Sequence, residues 1–458
     1  MEKILKTNKI ENIESNIISF EKIEMIKTRI HELEPTMNNF YNYFHKNPEI
    51  GGEEKKTAEK ISNYLSDIGV EILGDKIGGE GIVALIKGNI VDGPTIALRA
   101  DMDALPIAEQ AKENGLPVSD VPGMMHACGH DIHTSGLLGA AKILKSLSDE
   151  KQLNGNVLLI FQSNEEKAKI KKDGAVAIIR FLEEQGIRKN IDTFFGLHVA
   201  GFVERGTVII KDGIQMASAN TVKIKLEGAG GHQMDIRTLP DIDAMMSALK
   251  LELSDLFEPL YESGEAMIES VKTDYPAGPP NILPKYAEKT FVIRISSANY
   301  KEINKDVLSQ IDSKAQEVVD RYIKKSESMA EKKGVVRPAG QMEVKISISQ
   351  EGPGYRPVVH RDANLIKMTE LIGQKSLDNF KLVNKSIPAS EDFSFYLENF
   401  RGKEIPGVYV SVGGANLKKG FPPTMNHASN FQVDPNVVSD VAKFHSIFAL
   451  SAIEKFKK

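Results

Sequence analysis

Between residues 81 and 198 the chain alternates short apolar runs with segments of helical periodicity, and this alternation restricts its possible folds more than any other feature. The apolar runs predict strands at residues 81–87, 95–99, 156–162 and 192–198. Helices are predicted between them at residues 133–147 and 173–185. Alternation of this kind is typical of an α/β fold with a partly parallel sheet flanked by helices. Side chains that follow parallel strands gather at the carboxyl edge of such a sheet, where ligands bind.

A different pattern begins after residue 214. Strands are predicted at residues 221–227, 266–273, 289–296 and 342–350, and helices at residues 241–257 and 301–325. The order β-α-β-β-α-β is that of a ferredoxin-like module. Because 458 residues are too many for one core, we predict a polar N-terminal extension, a principal domain and an inserted domain. Their ranges are residues 1–20, residues 21–214 plus 355–458, and residues 215–354.

Charge and cysteine content exclude several classes of protein. The net charge of −5 leaves no basic surplus to neutralise phosphates, which argues against a nucleic-acid partner. The first 20 residues contain no apolar run long enough for a signal peptide or a membrane helix. The single cysteine, Cys128, cannot form an internal disulfide. We therefore expect a cytoplasmic protein that binds neither nucleic acid nor membrane.

Two pairs of carboxylates follow predicted strands. Asp101 and Asp103 come after one strand, and Glu165 and Glu166 directly follow another. Adjacent carboxylates repel each other unless a cation holds them, and a two-metal hydrolase uses one as a ligand and one as a general base. The alternative for the aspartates is a helix cap or a solvated turn. The alternative for the glutamates is a solvated turn that leads into the lysine-rich residues 167–172.

Residues 126–133 are the densest cluster of metal-binding residue types in the chain. The segment reads His126-Ala127-Cys128-Gly129-His130-Asp131-Ile132-His133. Imidazole and thiolate are ligands that borderline-soft divalent ions prefer. A buried cysteine among incidental histidines is the alternative. His198 and His427 are isolated histidines, each of which alone would be a core or loop residue. Together the candidates form a set that two metals with a shared ligand would use: Cys128, His130, Glu166, His198 and His427.

The predicted inserted domain and the segment after it contain further polar candidates. His232 follows two glycines, which let a backbone approach another surface closely, so it could stabilise an oxyanion. Asn281 precedes an apolar pair, and Arg294 lies inside a strand, where a guanidinium could bind a carboxylate. A plain turn and a surface arginine are the alternatives. Residues 390–394 have the composition of a helix N-cap.

In these motifs the chain resembles the di-metal aminoacylase/carboxypeptidase class of metallopeptidases. The nearest branch contains hippurate hydrolases, auxin–amino-acid conjugate hydrolases and N-acetyl-diaminopimelate deacetylases. The resemblance extends from Phe44-His45-Lys46-Asn47-Pro48-Glu49 to the C-terminal helix. Its most specific parts are residues 98–106 and 126–133. It implies a zinc-peptidase-like catalytic domain with an inserted lid and dimerisation domain.

The resemblance also implies a role for each candidate residue. Cys128, as the bridging ligand, would bind two metals together with His130, Glu166, His198 and His427. Glu165 would be the general base, and Asp101 or Asp103 would be an orienting carboxylate. His232 would reach across a homodimer, and Asn281 and Arg294 would hold the carboxylate of the substrate. The metals would be Zn²⁺ or Mn²⁺, although Co²⁺ and Ni²⁺ suit the same ligands.

The chain departs from the pattern of the family at three places beside these residues. Ser163-Asn164 replaces the usual Pro-Ala, the lysine-rich residues 167–172 replace a glycine-rich stretch, and the proline after His232 comes only at Pro240. No ligand is lost, so the departures concern the range of substrates. The resemblance implies hydrolysis of the amide bond of a small N-acyl amino acid. The alternatives are a carboxypeptidase or dipeptidase, an amide-forming enzyme, or a non-catalytic ligand-binding protein.

Overall fold

A computed structural model describes residues 17–110, 115–166, 174–398 and 404–457. Most of the predicted N-terminal extension, residues 1–16, and the lysine-rich residues 167–172 lie outside the described residues. The chain divides into two compact units, the first formed by the segments up to Gln215, from Val359 to Ser386 and from Asp392 onward. The second comprises Met216–Val358 and Ile387–Glu391.

The helices and strands follow one another along the chain in three stretches. Up to Ile209 they are α1 (Phe20–Lys46), α2 (Lys55–Asp67), β1 (Glu71–Ile77), β2 (Gly81–Ile86), β3 (Thr95–Asp101), α3 (His130–Asp149), β4 (Asn156–Gln162), α4 (Gly174–Glu184), β5 (Ile191–Glu204) and β6 (Thr207–Ile209). From Gly213 they are β7 (Gly213–Met216), β8 (Ser218–Glu227), β9 (Gly231–His232), α5 (Ile242–Glu262), β10 (Ala266–Asp274), β11 (Ile282–Leu283), β12 (Tyr286–Ile295), α6 (Tyr300–Lys332), α7 (Ala339–Met342) and β13 (Lys345–Tyr355). The last are β14 (Val358–His360), α8 (Ala363–Ser376), β15 (Lys381–Val383), α9 (Ser394–Leu397), β16 (Gly407–Ala415) and α10 (Val437–Phe456).

The first unit is built on an eight-stranded sheet in the order β1-β2-β4-β3-β5-β16-β6-β15. Its centre is parallel, because β3 pairs in parallel with β4 and β5, and β5 with β16. Strands β2, β3 and β4 are buried over nearly their whole length, as expected for a sheet covered on both faces. Helix α10 packs against α3 and α1. The predicted α/β fold with a partly parallel sheet flanked by helices is therefore confirmed.

The second unit has a four-stranded antiparallel sheet in the order β10-β12-β8-β13. Apart from the short elements β9, β11 and α7, its elements follow one another as β8-α5-β10-β12-α6-β13, which is a βαββαβ arrangement. Its apolar core draws on alternate residues of β8, Val222, Ile224 and Leu226, and on the inner faces of α5 and α6. The role of this unit as a lid and dimerisation domain stays a prediction.

Several elements of the first unit differ from those predicted. Strand β1 was not expected, because its half-exposed residues form neither an apolar run nor a strict alternation. Helix α3 begins at His130, three residues before the predicted start. The apolar pattern did not reveal this first turn, because the side chains buried in it include polar histidine and aspartate. Strand β5 continues past His198 to Glu204. Within the described residues, no helix combines the length and the apolarity that crossing a membrane requires.

Candidate metal centre

Five side chains that are distant in the sequence meet in the first unit, and they are the five predicted ligands. The Sγ of Cys128 lies 3.2 Å from Nε2 of His198 and 3.1 Å from Nε2 of His427. Oε1 of Glu166 lies 3.0 Å from Nε2 of His427 and 4.0 Å from Nε2 of His130. The structure thus brings together one thiol, three imidazoles and one carboxylate.

The same side chains form overlapping groups of three whose ligand atoms all lie within 4.8 Å of one another. One group joins Cys128 to His130 and His198, and another joins Cys128 to Glu166 and His427. Because Cys128 belongs to both groups, its sulfur is placed where two cations could share it. A third group contains His130, Glu165 and Glu166, which puts the buried Glu165 carboxylate beside the same cluster.

Two backbone positions with positive φ hold the loops of this cluster. Gly129 has a φ of 92° and precedes helix α3, so that His130 begins the helix. His427 has a φ of 66° and donates its backbone N–H to the carbonyl of Ala127. Asn426, which sequence analysis did not single out, donates to the carbonyls of Cys128 and Val199 at 3.1 and 3.0 Å. Asn426 therefore ties the His427 loop to the segments that carry Cys128 and His198.

The two aspartates at the end of β3 orient the neighbouring histidines. Asp103 lies 3.2 Å from Nδ1 of His130 and accepts a bond from the backbone N–H of Glu166 at 2.9 Å. Asp101 lies 2.6 Å from Nδ1 of His133. Because the N–H of Val199 donates to Nε2 of His133, that ring carries its proton on Nδ1 and donates it to Asp101. The resemblance implied one orienting aspartate, Asp101 or Asp103, but in the structure each of the two contacts a histidine.

Burial and charge shift the pKa values of the cluster in opposite directions. Burial would lower the pKa of His130, but Asp101 and Asp103 raise it to about 10. Burial would raise the pKa of Asp101, but His130 and Arg99 outweigh burial and hold it well below its ordinary value. Burial and then Glu166 raise the pKa of the Cys128 thiol well above its ordinary value. A thiolate is thus unfavourable among these carboxylates unless a cation lies beside it.

A buried arginine, Arg99, contacts the cluster through Asp101. Arg99 is 1% exposed, and its guanidinium donates to Asp101 at 2.6 Å, to Asp392 at 2.9 Å and to Gln162 at 3.1 Å. Gln162 in turn donates to Asp392 and accepts a bond from the hydroxyl of Tyr396. The interpretation of residues 390–394 as a helix cap does not hold for Asp392, since α9 has no side-chain cap. No sequence signal connected Asp392 with Arg99.

The remaining candidates lie in the second unit. His232 is exposed in β9, which pairs with β11 through Ile282, and Nδ1 of His232 accepts a bond from the N–H of Met234 at 3.2 Å. The N–H of Gln233 donates to the carbonyl of Asn281, so that His232 and Asn281 lie on one two-stranded ribbon. Arg294 donates to the hydroxyl of Ser390 at 3.0 Å, and burial lowers the pKa of this arginine. Their roles in binding and catalysis stay predictions.

Comparison with known proteins reveals extensive similarity. Residues 97–450 match the model of peptidase family M20/M25/M40. Thermostable carboxypeptidase 2 of Saccharolobus solfataricus is 28% identical over 94% of this chain and 99% of its own length. N-acetylcysteine deacetylase of Bacillus subtilis is 28% identical over 92% of this chain and 97% of its own length. A similar solved structure is that of Bacillus subtilis YXEP, described as a dinuclear metal binding peptidase from the M20 family. It is 25% identical in sequence, the TM-score is 0.68, and the match covers 93% of this chain and 99% of the YXEP chain.

Proposed function

The chain belongs to peptidase family M20/M25/M40, and from this membership and the geometry of the cluster we propose that it is a two-metal hydrolase of small N-acyl amino acids. Membership makes it a hydrolase of amide or peptide C–N bonds. The observation that carries the proposal is the position of the Cys128 sulfur between the imidazoles of His198 and His427, at 3.2 and 3.1 Å. The proposed metal ligands are Cys128, His130, Glu166, His198 and His427.

The donor set fits a pair of divalent cations. Nε2 of His130 is buried and forms no hydrogen bond within the described residues, while Nδ1 contacts Asp103. A ligating histidine has this arrangement, in which one nitrogen bonds a carboxylate and the other faces the metal. Thiolate, imidazole and carboxylate ligands suit Zn²⁺. We propose Zn²⁺ or Mn²⁺, with Co²⁺ and Ni²⁺ as further ions that these ligands accept.

The side chains around the cluster divide the work of amide hydrolysis. Two cations held there would lower the pKa of a water molecule and polarise the scissile carbonyl. Glu165 would take the proton from the attacking water and pass it to the departing amine. Asp103 contacts Nδ1 of His130, which would keep the other ring nitrogen of His130 directed into the cluster, and Asp101 holds the ring of the neighbouring His133.

We assign the second unit the roles that the resemblance implies. His232 would come from the partner subunit of a homodimer formed through the inserted domain, and it would stabilise the oxyanion. Asn281 and Arg294 would bind the carboxylate of the amino-acid half of the substrate. His232 and Asn281 lie on one hydrogen-bonded ribbon, so that any movement of this ribbon moves both side chains together. This placement supports a role for both residues in binding the same substrate.

Metal analysis combined with a substrate panel tests the function. The purified chain, loaded in turn with Zn²⁺ and Mn²⁺, is incubated with N-acetyl and N-benzoyl amino acids and with unblocked dipeptides. We expect two metals per chain and turnover of at least one N-acyl amino acid. Turnover of the dipeptides alone would instead favour a carboxypeptidase, the activity named for the Saccharolobus relative. No turnover of any compound by the metal-loaded chain would contradict a catalytic role.

A further inference from the structure

The two residues before the paired glutamates form a tightly enclosed turn. Asn164 has a φ of 56°, in the left-handed region that costs energy for residues other than glycine. Glycines surround the turn at close range: a Cβ at Gly51 would collide with the side chain of Asn164, and one at Gly174 with the carbonyl of Ser163. Glu165 leaves this turn directly, so the direction of its side chain depends on how Ser163 and Asn164 are held.

One buried carboxylate holds both residues of the turn. Glu54, just before helix α2, is fully buried. The hydroxyl of Ser163 lies 2.8 and 2.7 Å from its two oxygens, and the backbone N–H of Asn164 donates to Oε1 at 2.8 Å. In the family that the chain resembles, the usual residue at the position of Ser163 is proline. Proline has no hydroxyl, so the bond from Ser163 to Glu54 depends on the serine of this chain.

The surroundings of Glu54 make the charged form of its carboxyl group energetically unfavourable. Burial, followed by the charge of Asp103, raises the pKa of Glu54 to about 7. A buried polar group is tolerated when hydrogen bonds satisfy it, and it then fixes one conformation in preference to others. Here the conformation that it fixes is the strained backbone of Asn164.

We propose that Glu54 is a positioning residue, which sets the direction of the general base Glu165 by holding Ser163 and Asn164. The inference rests on the function proposed above for Glu165. Glu166 has separate contacts, since its N–H donates to Asp103 at 2.9 Å and its carboxylate lies 3.0 Å from Nε2 of His427. Loss of Glu54 is therefore expected to affect proton transfer more than metal binding.

Three variants separate this role from simple stabilisation of the fold. Glu54→Met removes both acceptor oxygens and keeps the length of the side chain. Glu54→Gln keeps an oxygen for the N–H of Asn164 and gains an N–H that can donate to the hydroxyl of Ser163. The matched control is Glu49→Met, because Glu49 accepts bonds from the N–H and hydroxyl of Thr57 in the first turn of α2 and, among the described residues, makes no hydrogen bond to the 163–164 turn.

The kinetic result expected is a loss of kcat in Glu54→Met by roughly ten- to a hundredfold, since a misplacement of about 1 Å has an effect of that size. KM and the metal content are expected to stay close to native values. Glu54→Gln should recover most of kcat, and Glu49→Met should keep native kcat even where it lowers the melting temperature. Native kcat in Glu54→Met, or a loss that matches a loss of metal, would overturn the proposal.

Two further measurements keep the inference decidable. If Glu54→Met does not fold, Ser163→Ala removes only the hydroxyl and should lower kcat by a few-fold, and native kcat in this variant would overturn the proposal. Hydrogen exchange measured by mass spectrometry on residues 163–166 needs no substrate. We expect faster exchange of the Asn164 amide in Glu54→Met than in Glu49→Met, and equal rates would count against the role of Glu54. If the native chain hydrolyses no amide, the proposed function fails while the exchange result still decides the role of Glu54 in holding the turn.

Discussion

The guanidinium of Arg99 donates to the carboxylate of Asp392 across 2.9 Å in the protein interior, although 293 residues separate them in the chain. Both side chains are fully buried. The pair joins the end of strand β3 to the segment that precedes α9. It also places a positive charge beside Asp101, which holds His133. The candidate metal centre therefore rests on an ion pair that contains none of its ligands.

Asp392→Asn is expected to lower the free energy of unfolding by about 1.5–3 kcal/mol, because the buried Arg99 guanidinium loses one of its two charged partners among the described residues and keeps only Asp101. Urea unfolding followed by circular dichroism measures the effect. The control is Glu150→Gln, which breaks the exposed pair between Arg29 and Glu150 at 2.8 Å and should barely move the midpoint. Equal midpoints for the two variants would contradict the importance of the buried pair.

Glu165→Gln is expected to lower kcat by roughly 10²- to 10⁴-fold, since the amide cannot accept the proton of the attacking water. The metal content should remain at the native value. Glu166→Gln is the matched comparison, in which metal is expected to be lost together with activity. Inductively coupled plasma mass spectrometry and steady-state kinetics measure both quantities. Full activity of Glu165→Gln would rule out its assignment as the base.

Metal binding is expected to release protons and to strengthen as the pH rises. The raised pKa of the Cys128 thiol and the pKa of about 10 for His130 mean that both groups hold a proton at pH 7. Each must lose it to bind a cation. Calorimetric titration with Zn²⁺ in buffers of different ionisation enthalpy should report about two protons in the native chain and about one in Cys128→Ser. An affinity that does not change with pH would exclude these two ligands.

His445 is expected to destabilise the fold as the pH falls. It is fully buried, and burial, with a smaller contribution from His133, lowers its pKa to about 3. The unfolded chain binds a proton at this histidine below its ordinary pKa of 6.5, whereas the folded chain does not. The free energy of unfolding should therefore fall between pH 6.5 and 3 by up to about 1.4 kcal/mol per pH unit from this group.

His445→Leu removes this contribution. Urea unfolding at pH 7 and at pH 5 should show a smaller decrease in the free energy of unfolding for the variant than for the native chain. Identical decreases would mean that His445 is protonated in the folded state as easily as in the unfolded state.

A homodimer is expected to sediment at twice the mass of the 50.5 kDa chain. His232→Ala should lower kcat without changing that mass. If His232 serves the site of the partner, mixing His232→Ala with Glu165→Gln should restore roughly a quarter of native activity, because half of the dimers are hybrids with one complete site. A monomeric mass, or no restored activity on mixing, would contradict a role across subunits.

Much of the first unit was predictable because its signals are local. Apolar runs of strand length identify β2, β3 and β4, and the histidines around Cys128 identify the densest part of the candidate centre. Strand β1 was missed because its own residues form neither a strict alternation nor an apolar run. His198 and His427 were selected only as members of a set of five ligands, since an isolated histidine looks the same in a core, in a loop and at a metal.

The sequence by itself determined the kinds of element, their order and the chemical types available for a metal centre, because periodicity and residue type are properties of short segments. Only the tertiary structure decided which distant groups meet. The contacts of Asp392 with Arg99, of Glu54 with Ser163 and of Asn426 with Cys128 arise from the order in which strands join the sheet and from the paths of the loops between them. Such contacts leave no local pattern, because a buried carboxylate or amide is stabilised by whichever partner the fold brings to it.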